Sequence, residues 1–341
     1  MLTIFEKANR AGVRSFINRT LASLKKDPDK AIDQLVKTAQ TFNALDPEDL
    51  KTWESLARNR NHPWREMVLE DRDRIYENIL KTSLLNIFFH HAIQGEKRRE
   101  EWQEKLGLPA ASFMVVETQN QQGTLTYQDL DKLVTQGKDL GIYFYFLRDL
   151  DLEARQREII LLASKHSDCI FYLWIPGACL DRGLAAYMKK LGNVHFLVEI
   201  QSGEELEGLD ALAWIWSQGL PVTAAIHLDK KNYKEVAEGD FLDLLIQRGV
   251  QFLCCFQNLP LGAKLEDALD SKEKVWLRKK LADLDSREGA KKILVVDYDR
   301  DGLEGLFVTG SGDLLSSQEG AAPLGNIKKL DLLEAYKKRK Q

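Results

Sequence analysis

Six apolar runs recur through the middle of the chain at intervals of about 25–30 residues, the length of one strand plus one crossover helix. They are SFMVV (112–116), GIYFYFL (141–147), CIFYLWIP (169–176), VHFLVEI (194–200), PVTAAIHL (221–228) and VQFLCCF (250–256). Helix-period segments separate most of them, among them YQDLDKLVTQGKDLG, EARQREIILLASKH and LDRGLAAYMKKLG. Continuous rather than alternating apolar strands, each followed by a helix, specify a parallel sheet covered on both faces. The expected fold is α/β, a partial (β/α)6 TIM-like barrel, with a helical domain before it and a short extension after it. The expected boundaries are residues 1–108, 109–262 and 263–341.

The first of these regions reads as helix throughout. LTIFEKANRAGVRSFINRTLASLKK sets Phe5, Val13, Phe16, Ile17, Leu21 and Leu24 along one stripe. That stripe is expected to dock onto the barrel, with an acidic partner or a membrane surface as the alternative for the basic face. Asp27-Pro28 and Asp46-Pro47 each read as a helix start. DRIYENILKTSLLNIFFHHAI (73–93) reads as one long helix, and GEKRREEWQEKL as a charged helix or linker. The last region reads as strands and turns in KKILVVDYDRDGLEGLFVTGSGDLL, then as a helix with a basic tail.

Composition excludes some functions. A net charge of −4 is wrong for a protein that binds nucleic acid through its overall charge. No apolar run approaches the ~20 residues that cross a bilayer. The four cysteines, Cys169, Cys179, Cys254 and Cys255, contain no C-x2-C pair, and a cytoplasmic location is expected.

A barrel of this type collects its functional groups at the carboxyl ends of the strands. There the sequence places Glu117, Gln119 and Asn120, then Arg148, Asp149 and Asp151, Pro176 and Gly177, Glu199 and Gln201, His227 and Asp229, Gln257 with Asn258, and Asp297 with Asp299. Glu117, Gln119, Asn120, Arg148, Asp149, Gln201 and Gln257 are the expected ligand-binding set. His227, Asp229, Asp149 and Glu199 are the set for an alternative acid–base or metal chemistry. His90-His91 reads as helix packing with one ring in and one out, because neighbours on a helix point about 100° apart. Cys254 and Cys255 should face opposite sides of a strand. The aspartates of DYDRDGLEG (297–305) are only weakly like a calcium loop, since the glutamate at its twelfth position is absent.

Several segments together resemble the radical S-adenosylmethionine enzymes. LTYQDLDKLVTQGKDLGIYFYF (125–146) is similar to the Leu-Ser…Gly-Lys-(Glu/Asp)-Leu-Gly helix with which that family enters its second strand. ASKHSDCIFYLWIPGACLD, FQNLPLG and GSGDLLSSQEGAAPLGNIKKLDLLEAY are similar to its third strand, its Pro-(Val/Leu)-Gly segment and its C-terminal turn and last helix. The resemblance implies the same partial barrel and an auxiliary C-terminal region. It also implies a cluster loop, C-x3-C-x2-C, after the first strand. Here that loop is TQNQQGT, shorter and without a cysteine, and amide groups are hard donors that do not replace thiolates on iron. Where the family has Gly-Gly-Glu-Pro after its second strand, this chain has Asp149, Leu150, Asp151 and Leu152, and Ser317 stands at the C-terminal cysteine position. The expectation is a fold kept for binding, without iron–sulfur cluster, S-adenosylmethionine or any other cofactor. The partners implied are a genuine radical S-adenosylmethionine enzyme or its substrate.

Overall fold

In the computed structural model, residues 4–41, 59, 63–107, 111–148, 151–201, 206–238, 240–256, 268–286, 293–297, 305–316 and 323–338 are described. The six expected strands are present as β1 (Phe113–Glu117), β4 (Phe144–Arg148), β5 (Ile170–Pro176), β6 (Val194–Glu199), β7 (Thr223–His227) and β8 (Phe252–Phe256). They lie side by side and parallel in chain order, as right-sized βαβ units dictate.

The chain beyond residue 262 extends this sheet at both edges. β9 (Leu294–Asp297) joins β8 in parallel, and β10 (Gly305–Val308) crosses to the far edge and joins β1 in parallel. β11 (Asp313–Ser316) and β12 (Gly325–Asn326) then add antiparallel strands, completing a ten-stranded sheet. The partial barrel therefore has more parallel strands than the six read from the sequence.

Alternation sorts each strand between two cores. Met114, Tyr145, Leu173, Val198, Ile226 and Cys255 face the surrounding helices. Phe113, Phe146, Trp174, Leu197, Ala225, Cys254, Phe256 and Phe307 face the barrel interior. Cys254 and Cys255 thus point in opposite directions, as expected of a strand. All four cysteines are free; Cys169 lies just ahead of β5 and Cys179 in the 3-10 turn after it.

The helices are α1 (Ile4–Lys26), α2 (Pro28–Thr41), α3 (Pro63–Arg74), α4 (Glu77–Leu85) and α5 (Glu96–Leu106), with a π-helical segment, Asn86–Gly95, joining the last two. Asp27 starts α2 by accepting from Lys30 N at 3.1 Å; the Asp46 start lies outside the described residues. The 73–93 stretch is not one helix, since Tyr76 leaves helical geometry at φ −55°, ψ 127°. The stripe Val13, Ile17, Leu21 and Leu24 is buried against α2, Leu85 and Phe89 rather than against the sheet itself. The described residues contain no helix long and apolar enough to cross a membrane.

This helical region closes the amino-terminal end of the barrel by satisfying carbonyls just upstream of four strands. Arg99 Nη1 donates to Gly141 O at 2.7 Å, Asn86 Nδ2 to Ser167 O and Cys169 O at 3.0 Å, Ser83 Oγ to Gly192 O at 3.3 Å and Arg74 Nη1 to Leu220 O at 2.7 Å. Arg74 Cζ lies over Trp216, 3.7 Å from the ring centroid. Gly141, at φ +88°, passes so close to the backbone of Gly95 that no side chain fits.

Three histidines plug this floor. His90 packs 5.7 Å from the Tyr143 ring and shares a hydrogen bond with Gln94, and His91 meets Phe144 edge-on at 4.6 Å. The rings lie against adjacent residues, Tyr143 just ahead of β4 and Phe144 at its start; His90 is buried and His91 half-buried, so neither ring is turned fully out to solvent. His195 faces inward from β6, near Tyr172 and 3.1 Å from Ser83 Oγ. Burial pushes His90 and His195 down to about 4, and burial with the charge of Arg99 pushes His91 down to about 3. A histidine held neutral in this way stabilises the fold fully above its unfolded pKa near 6.5 and loses that contribution as the pH falls toward the folded value. For His195 the loss by pH 5 is about 2 kcal/mol. Chemical denaturation at pH 7.5 and pH 5 should therefore show a difference that shrinks by about 2 kcal/mol in His195→Gln; an unchanged difference would exclude His195 as a source.

Candidate functional site

The opposite, carboxyl-terminal end of the sheet carries the polar groups. β1 runs out at Glu117 and the chain turns at once into a small hairpin, β2 (Gln119–Asn120) against β3 (Gly123–Thr124). This hairpin is the TQNQQGT loop. Asn120 holds it in two ways: Oδ1 accepts from Gln122 N at 2.9 Å and Gly123 N at 3.0 Å, and Nδ2 donates to Glu117 Oε2 at 2.7 Å. The same carboxylate oxygen accepts from Gly310 N at 3.2 Å, in the turn between β10 and β11. At the base, Thr118 N donates to Arg148 O at 2.9 Å and Leu125 N to Thr118 O at 2.8 Å. The buried Arg155, on α7 (Leu152–Lys165), donates to Leu125 O at 2.9 Å. Thr126 then caps α6 (Tyr127–Asp139) in a capping box with Asp129.

Gly310 permits this closure. A Cβ there would lie 2.6 Å from Asn120 N, 2.7 Å from Gln119 C and 2.8 Å from Gly123 O, all of them backbone atoms. Three sequence-nominated residues, Glu117, Gln119 and Asn120, are thereby brought together, with Glu117 and Asn120 bonded to each other.

The second group stands beside the first. Arg148, at the end of β4, is the register neighbour of both Glu117 and Trp174. Its guanidinium lies 5.1 Å from the Trp174 ring centroid and 3.6 Å from Glu199 Oε2. Trp174 donates its indole N–H to the same oxygen at 3.0 Å and stacks on Phe256 at 4.5 Å and 28°. Beneath this layer the interior is closed by rings: Phe146 stacks on Tyr172 at 5.1 Å and meets Phe256 edge-on at 5.7 Å. Phe146 and Trp174 are 0% and 2% exposed, so the aromatics fill the space between the walls.

His227 ends β7 at the mouth, half-buried, with Asn232 Nδ2 donating to its carbonyl at 2.8 Å. Asp229 is turned into its own loop, where Oδ1 accepts from Lys231 N at 2.7 Å and Asn232 N at 3.2 Å. Gln201 is exposed just past β6. Asp149, Leu150, Gln257, Asn258, Asp299 and Ser317 lie outside the described residues. Asp151 caps α7 by accepting from Ala154 N at 3.1 Å, and Leu152 is buried among the helices on the outer side of the sheet. Gly177 has a packing reason: its Cα side abuts the backbone of Glu207 and Gly208 at the start of α9 (Leu206–Ser217), the helix α8 (Leu184–Leu191) having come between.

Two contributors escaped the sequence reading. Trp174 looked like core, and its indole N–H is what anchors Glu199. Gly310 sits far along the chain, and the signal that marks it is the T-G-S-G turn directly after an apolar run.

No protein-family model matches the sequence, and neither does any curated protein. Solved structures do match in fold. The chain is similar to SuiB of Streptococcus suis, at TM-score 0.51 and 10% identity over 72% of this chain and 70% of that one. It is similar to SuiB bound to S-adenosylmethionine, at TM-score 0.51 and 9% identity over 72% and 68% of the two chains. SuiB bound to the precursor peptide SuiA gives TM-score 0.52 and 11% identity over 72% and 69%. The shared architecture is an α/β fold with a parallel-rich sheet and a helical N-terminal region. At this identity the likeness is one of fold.

Substituting the hairpin's contact point should be costly. Gly310→Ala must push Asn120 and Gly123 backbone aside, and overpacking of this kind costs about 1–3 kcal/mol. Denaturation of Gly310→Ala should show that loss, and Asn120→Ala on the same background should then cost less than it does alone, because the two act through one hairpin. Additive losses would show that hairpin and turn are independent.

Proposed function

We propose that this chain uses a radical S-adenosylmethionine-type scaffold for binding a peptide or protein partner and carries out no radical chemistry. The observation that carries the reading is the hairpin after β1. An iron–sulfur cluster of that family needs three thiolates at this place. The chain offers there only the amides of Gln119, Asn120, Gln121 and Gln122, with Asn120 and Glu117 already committed to each other and to the Gly310 turn. The four cysteines are no substitute: Cys169 lies before β5 at the floor, Cys179 is a single thiol in the turn after β5, and Cys254 and Cys255 face opposite sides of β8. The donor set does not fit the cluster.

Two further features support a binding role. The interior that a small cosubstrate would need is occupied by Phe146, Trp174 and Phe256. SuiB, of the same fold, has been crystallised with a precursor peptide. The acid–base alternative has less behind it, because the Asp229 carboxylate is taken up by its own turn.

Anaerobic reconstitution with iron and sulfide, followed by calorimetric titration with S-adenosylmethionine, tests the reading. The expected result is no retained iron and no heat of binding. A stoichiometric cluster with its charge-transfer absorbance, or tight S-adenosylmethionine binding, would overturn it.

A further inference from the structure

We propose that Arg148, laid over Trp174 at the barrel mouth, is where a carboxylate of the bound partner is recognised, so that the partner presents an acidic side chain or a free C-terminus. This rests on the binding reading above and gives it a ligand chemistry.

The platform beneath the guanidinium is fixed from two sides. Trp174 is stacked on Phe256 and tied by its N–H to Glu199, so the face offered to Arg148 does not rotate. A guanidinium over an indole keeps its edge donors free for an anion in the ring plane. Among the described residues, its charged contact is Glu199 at 3.6 Å, beyond the 2.7–2.9 Å of a charge-assisted hydrogen bond. Both partners are partly exposed, 25% and 19%, and such a long, half-solvated pair contributes little. A carboxylate meeting the guanidinium fork to fork makes two short bonds in its place.

Releasing Arg148 leaves no orphan behind. Glu199 keeps the Trp174 N–H, and Glu117, the other register neighbour of Arg148, is already held by Asn120 Nδ2 and Gly310 N. The mouth is thus arranged so that the cation is the loosely engaged member while both anions beside it are bonded elsewhere. The same two anions set the ligand class. One cation beside two carboxylates leaves the mouth net negative, so a phosphate dianion is repelled about twice as strongly as a carboxylate, which enters through the two fork bonds to Arg148.

The test uses three capped peptides on the full chain: acetyl-Gly-Glu-Gly-amide, acetyl-Gly-Gln-Gly with a free carboxylate, and acetyl-Gly-Gln-Gly-amide. Binding is followed by the arginine side-chain 15N–1H signals, with the Arg148 Nε resonance identified by its absence in Arg148→Lys. The expected result is a shift of that resonance with one or both carboxylate peptides and none with the neutral one; which of the two acts decides between side chain and C-terminus. Glu199→Gln keeps an acceptor for Trp174 while removing the competing charge, and should tighten carboxylate binding about five- to tenfold. Arg148→Gln should abolish it with the thermal unfolding midpoint unchanged. Equal binding of the neutral peptide, carboxylate binding that survives Arg148→Gln, or a silent Arg148 resonance at millimolar peptide would each overturn the proposal. The binding reading itself stands or falls separately, by the cluster and S-adenosylmethionine titrations.

Discussion

A curved parallel sheet has to put something on its concave face, and in this chain the strands supply it themselves. Inward positions carry Phe113 on β1, Phe146 on β4, Tyr172 and Trp174 on β5, and Phe256 on β8. Small residues, Ala225 and Cys254, stand where the rings need room, which is how interiors reach crystal-like density. Each fully buried ring contributes about 2–3 kcal/mol of apolar burial, with roughly 0.5–1.5 kcal/mol more for each well-placed pair. The face-to-edge chain Phe113–Phe146–Phe256–Trp174 therefore fixes the curvature of the sheet and the height of its mouth.

The two ends of the barrel are built on different principles. At the floor, long polar side chains from α3 to α5 reach carbonyls ahead of the strands, and neutral histidines fill what remains. That end is held by groups whose burial sets their protonation. At the mouth, carboxylates are the organising groups. Glu117 joins strand, hairpin and the Gly310 turn, while Glu199 orients Trp174. Among the described residues of the mouth, Arg148 is the cation whose charged contact is long, and this is where the fold can exchange an internal interaction for an external one.

Much of this architecture was legible in the sequence. Parallel strands buried on both faces write themselves as continuous apolar runs, so β1 and β4 to β8 and the intervening helices could be read directly. β10 could not be placed, because GLFV pairs with β1 nearly two hundred residues away, and no local pattern encodes a partner chosen by topology. The π-helical segment was equally hidden, since its residues have the same apolar texture as a buried α-helix. The mouth was legible as a set of positions, because strand ends follow from strand lengths. Its pairings were not: whether Glu117 turned to Arg148 or to Asn120 depended on the Gly310 turn, and whether Asp229 faced His227 depended on a capping choice two residues on. Bulky Trp174 was read as packing, which it is, while its polar atom escaped notice.

The central claim is that the segment after β1 is a closed hairpin locked into the sheet, and not an open loop shaped to wrap a metal cluster. Hydrogen–deuterium exchange across residues 117–125 tests this most directly, read at the amides of Thr118, Gly123 and Leu125 together with Gly310. The account expects protection comparable to that of β1 itself, weakened at all four amides together when Glu117 is replaced by Gln. Exchange at loop rates in the native protein, with β1 still protected, would contradict it.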